Sequence, residues 1–127
     1  MRFVRLVFRV SGIYGVLLIA PLYFLEARVG RDYPPAINHP EYYYGFVATC
    51  LAWQLMYLLI STDPVRYRTP MLLGAFGKLS FFISTLILFF QDRIPGNMMA
   101  LASVDVILVA LFVAAWIRTP SVESGSF

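Results

Sequence analysis

The chain has 127 residues, of which 60% are hydrophobic and 13% charged, whereas a soluble domain carries roughly 25% charged residues. That deficit, in a chain the length of one domain, excludes an ordinary soluble fold and points to a single compact bundle in a membrane. The net charge of +3 does not indicate nucleic acid, because the basic residues are scattered between apolar runs rather than gathered on one face.

The first apolar stretch covers residues 6–25, with Arg9 near its start and Pro21 near its end, where a kink is expected. Met1 to Arg5 looks like the basic start of a signal peptide. Arg9 interrupts the stretch, however, and no small-x-small cleavage site precedes Glu26, so it is read as a retained span. Residues 26–41 form the longest non-helical segment, in which Pro34, Pro35 and Pro40 stiffen a cap over one mouth of the bundle. Its His39, the chain's only histidine, lies near Asp32 and Glu41 at a spacing that matches no metal site.

The second stretch, 42–62, is free of charge and long enough for a helix to cross about 30 Å of hydrocarbon. The third, 71–90, carries one charge, Lys78, and the fourth, 96–117, carries one, Asp105. None of the four alternates as a barrel strand does, and backbone groups in lipid must bond within their own segment. The predicted fold is therefore all-α, an antiparallel bundle of four transmembrane helices. Asp63-Pro64, Thr69-Pro70, Pro95-Gly96 and Thr119-Pro120 mark the stops. The short joints make the second, third and fourth helices antiparallel neighbours. The polar tail, residues 121–127, is expected to be disordered.

Arg2, Arg5, Arg9, Arg66, Arg68 and Arg118 fall at one end of the spans, and Arg28, Arg31 and Arg93 at the other. The richer side is the cytoplasmic one, so both termini face the cytoplasm. Tyr23, Phe24, Tyr42 to Tyr44, Tyr67 and Trp116 fall where aromatic belts belong.

A charge within a span costs roughly 2.5–3.5 kcal/mol on insertion scales, which makes Lys78 and Asp105 candidates for function. A turn centred between Arg93 and Ile94 sets Asp105 level with Phe82, one helical turn from Lys78, about 6 Å at 1.5 Å per residue. The same arithmetic at the preceding joint sets Gln54 beside Lys78. Gln54 lies on a stripe of Val47, Cys50, Gln54, Tyr57 and Ser61, spaced by three and four. The candidate site is thus a buried polar layer of Gln54, Lys78 and Asp105. It reads either as an ion pair fixing helix register or as a ligand or proton site. Cys50 reads as a small core residue.

Small residues four apart, such as Ser11 and Gly15 or Ala48 and Ala52, suit close packing within the bundle, or a homo-oligomer or partner membrane subunits. There is no serine-histidine pair, phosphate-cradling glycine loop, carboxylate pair or intramembrane histidine, so neither an enzyme nor a cofactor is expected. Two functions follow: a bundle that holds an apolar or lipid-like ligand among membrane lipid, or an accessory subunit of a larger respiratory or photosynthetic assembly.

The segments Ala52-Trp53-Gln54, Asp63-Pro64-Val65-Arg66-Tyr67-Arg68 and Gly77-Lys78-Leu79-Ser80-Phe81 resemble small four-helix bacterial membrane proteins of the broad DoxX-like group. The resemblance extends over nearly the whole chain. It implies a four-helix bundle in the bacterial cytoplasmic membrane, little about activity, and no particular functional residue.

Overall fold

A computed structural model describes residues 1–121. The tail expected to be disordered lies, beyond Ser121, outside the described residues. The chain is all-α, with no strand among the described residues. α1 (Arg2–Ile19) runs into a 3-10 turn (Ala20–Phe24), followed by α2 (Glu26–Asp32), α3 (Pro40–Thr62), α4 (Arg68–Phe90) and α5 (Gly96–Arg118). The segments Arg2–Phe24, Pro40–Thr62, Arg68–Phe90 and Gly96–Arg118 are long and apolar enough to cross a membrane. Each has 23 residues, about 34 Å as an α-helix. These are the proportions of a multi-pass membrane protein.

The limits differ from expectation where polar residues continue a helix. α1 begins at Arg2, because arginine stems reach past an apolar helix to water without breaking its backbone. Its expected kink takes the form of the tighter 3-10 turn from Ala20, since Pro21 has no N–H to continue the α-helical ladder. α4 begins at Arg68 rather than Met71, so Thr69-Pro70 is no stop. Pro70 occupies the first turn, where its missing N–H would have had no partner in any case. The cap is not wholly irregular, for α2 crosses it, with Arg28 Nε 3.6 Å from Asp32 one turn on.

The spans associate as two hairpins. α1 packs along α3, and α4 along α5, while α1 also touches α5. α3 and α4 meet at few positions, so adjacency in the chain does not make them close neighbours. α1 lies close to α3 because Gly12 and Gly15 present no side chain. A Cβ on Gly12 would stand 2.6 Å from Leu58 Cγ and 2.9 Å from the Gln54 carbonyl oxygen, and one on Gly15 would run into the Gln54 side chain. In lipid, where apolar burial gives no drive, such close contact is what holds helices together. Gly12→Leu is expected to force the hairpin apart, at about 1–3 kcal/mol for overpacking. Its melting temperature in detergent should fall below that of the parent; an unchanged value would show that the two helices part freely.

The packed core sits at one end of the molecule. Phe8, Tyr57 and Phe112 form an aromatic cluster, with Phe112 centred 4.5 Å from Phe8 and 4.9 Å from Tyr57. Val4, Val7, Ile60, Met71, Ala75 and Ala115 close around it. Arginines lock the same end. Arg5 Nη1 donates to the carbonyls of Ser61 and Thr62 at 3.2 and 2.8 Å, at the C-terminal end of α3. Arg68 Nε donates to the Thr119 carbonyl at 2.8 Å, with its guanidinium 4.2 Å from the centre of the Trp116 ring. Arg118 lies over Phe3 at 4.5 Å. Arg5 and Arg68 thereby satisfy carbonyls left open at helix ends and complement the negative pole of the helix dipole.

Candidate functional site

Away from the packed end the two hairpins separate, and a cavity of about 500 Å³ opens between them, lined by residues of all four spans. The division follows from side-chain size. Phe8, Tyr57 and Phe112 fill the bundle axis at the arginine-rich end, whereas farther along the cavity is bordered by small residues such as Cys50 and Gly77, and a Cβ on Gly77 would meet nothing within 4 Å. Small residues leave a void where the neighbouring helices do not close in.

Lys78 and Asp105 stand in the wall of this cavity. Lys78 Nζ donates to Asp105 Oδ1 at 3.0 Å, with the side chains 13% and 20% exposed. Lys78 lies ten residues into α4 and Asp105 nine into α5, so both sit near the middle of their spans. Charges at that depth are tolerated when each compensates the other. Nζ also lies 5.5 Å from the centre of the Tyr57 ring, whose face attracts a cation.

Gln54 lines the same cavity but does not join the pair. Its amide nitrogen donates to the Cys50 carbonyl, one turn back on its own helix, at 2.9 Å, and no hydrogen bond links it to Lys78 or Asp105 among the described residues. The expected layer is therefore an ion pair with a separate amide nearby. The cause is the gap between α3 and α4, which the joint arithmetic treats as closed. Cys50 is half-buried in the cavity wall rather than packed in a core.

Tyr57 is the site residue that sequence reasoning placed only on a stripe. It is 3% exposed, lines the cavity, and its hydroxyl has no hydrogen-bond partner among the described residues. Its ring lies against Gly74, where a Cβ would come 2.8 Å from Cε1 and 3.4 Å from the hydroxyl oxygen. The spacing of Gly74 from Lys78 on α4 was the available signal. It could not be read without knowing which residue of α3 lay opposite.

The cap offers no comparable site. His39 Nδ1 lies 3.3 Å from Glu41 Oε1 and its ring stacks on Tyr42, while Asp32 pairs with Arg28. The Tyr33 hydroxyl accepts a bond from Asn97 Nδ2 at 3.0 Å, which ties the cap to the start of α5. No family model, curated protein or solved structure matches this chain.

Proposed function

We propose that the chain is a ligand-binding membrane bundle that holds an apolar, lipid-like molecule in the cavity between its hairpins. The cavity itself carries this reading. At about 500 Å³ it falls within the roughly 300–1,000 Å³ of small-molecule sites, and like them it has apolar walls and a few convergent polar groups. It borders the aromatic cluster of Phe8, Tyr57 and Phe112, which favours a dead-ended pocket over a pore. Phe76 and Leu73, 69% and 53% exposed, stand at its edge on α4, so the mouth faces the hydrocarbon between α3 and α4.

The same proposal orients the protein. Arg5 near the start of α1 meets the end of α3, and Arg68 at the start of α4 meets Thr119 just past the end of α5. These contacts favour antiparallel spans with the arginine-rich end in the cytoplasm, together with both termini. The resemblance to DoxX-like bundles favours a bacterial cytoplasmic membrane.

Cys50→Phe tests the reading by filling the space. In native mass spectrometry of protein purified in mild detergent, the parent is expected to carry about one lipid-like molecule per chain. The variant should retain about tenfold less, because the ring occupies the volume the ligand requires. Equal retention would remove the cavity from consideration. Stoichiometric partner subunits in the same preparation would favour an accessory subunit instead.

A further inference from the structure

Resting on the reading of the cavity as a ligand site, we infer that its ligand is an uncharged amphiphile: a long apolar body ending in a hydroxyl group, seated among Tyr57, Lys78 and Asp105. Three observations lead there. The first is the balance of charge. Lys78 and Asp105 neutralise each other across 3.0 Å, and the other residues lining the cavity carry no formal charge. An anionic or cationic head group would bring one uncompensated charge into a weakly polarisable interior, where it is strongly disfavoured. A neutral head group leaves the balance undisturbed.

The second is the set of unused hydrogen-bonding groups. A lysine ammonium has three N–H donors, of which one is given to Asp105 Oδ1. Asp105 Oδ2 and the Tyr57 hydroxyl accept or donate no hydrogen bond among the described residues. This part of the wall therefore offers donors and an acceptor together. A hydroxyl, which donates once and accepts twice, uses both kinds, whereas a hydrocarbon uses neither. Polar groups left unpaired by a hydrocarbon ligand would weigh against it.

The third is the direction of access. The gap between α3 and α4 lies at mid-span, with Phe76 and Leu73 at its rim. A ligand entering from the bilayer places its head at the ion pair and leaves its tail toward the lipid chains. The length of the tail is then not limited by the volume of the cavity.

The test uses the whole protein in phosphatidylcholine nanodiscs, with Cys50, the only cysteine, as reporter of occupancy. Protection of its thiol from an apolar maleimide is measured against increasing hexadecanol, hexadecane, hexadecanesulfonate and hexadecyltrimethylammonium. Hexadecanol is expected to protect at a concentration about tenfold lower than the other three, the worth of one or two net hydrogen bonds. Tyr57→Phe should bring hexadecanol about threefold closer to hexadecane. Lys78→Met with Asp105→Leu should erase the difference while both probes still protect. Equal protection by all four in the parent, or stronger protection by either charged probe, would overturn the uncharged head group and leave the cavity reading standing. Protection by none would overturn both.

Discussion

Asp105→Asn is expected to lose much of the folded protein, whereas Lys78→Met combined with Asp105→Leu recovers most of it. The asparagine keeps the shape of the aspartate but leaves the Lys78 ammonium, 13% exposed at mid-span, without its counter-charge. Breaking a buried pair on one side costs about 3–5 kcal/mol, while replacing both partners by apolar residues is often neutral. In a membrane the penalty for the widowed lysine is reduced to the extent that its stem reaches an interface. From the middle of α4 that path leads past Tyr57 and the packed end, so little relief is expected. Reversible unfolding in mixed micelles, followed through Trp53 and Trp116, gives the three stabilities. A single variant as stable as the parent would deny the pair any structural role. A double variant as unstable as the single would show that the loss comes from packing rather than charge.

Phe112→Ala is expected to cost about as much, roughly 3–5 kcal/mol, as is usual when a buried aromatic ring is truncated. Phe112 is fully buried and stacks on Phe8 while meeting Tyr57 edge-on. It is thus the residue of α5 that ties the second hairpin to the first. Its loss would extend the cavity toward the arginine-rich end. The variant should melt at lower temperature and accept bulkier apolar ligands. Phe112→Leu, which retains most of the volume, should recover most of the stability. A Phe112→Ala protein with parental melting temperature would place the bond between the hairpins elsewhere.

These predictions rest unequally on what a reader of the sequence can see. The four spans are legible because apolar runs of this length have one stable form in lipid. The approach of Lys78 to Asp105 is legible too, since the joint between α4 and α5 is short and fixes their register to within a turn. Asp92 makes that joint compact by adopting φ 56°, a left-handed conformation that aspartate accepts more readily than most residues.

The cavity is not legible, and the reason is physical. Leu73 and Phe76 are as apolar at the rim of a void as they would be against lipid, so hydropathy cannot tell a pocket wall from an outer surface. The same blindness affects helix partners. Gly12 and Gly15 draw α1 onto α3, but their effect on the distance between α3 and α4 appears only in three dimensions. The joint arithmetic brings Gln54 to the cavity that Lys78 lines, but does not show the hydrogen bond that turns its amide back to its own helix. The helical spacing puts Tyr57 on the stripe with Gln54 but gives no sign that its ring lies 5.5 Å from the Lys78 ammonium.

The division into two hairpins also bears on how the protein is made. α1 and α3 enter the membrane first, and the glycine contact that joins them requires nothing from α4 or α5. The first hairpin can therefore settle while the second is still within the ribosome. Lys78 then arrives before Asp105, and must wait for its partner until α5 follows α4 into the bundle. α5 completes both tasks at once: Asp105 quenches the lysine, and Phe112, following it, latches the two hairpins together.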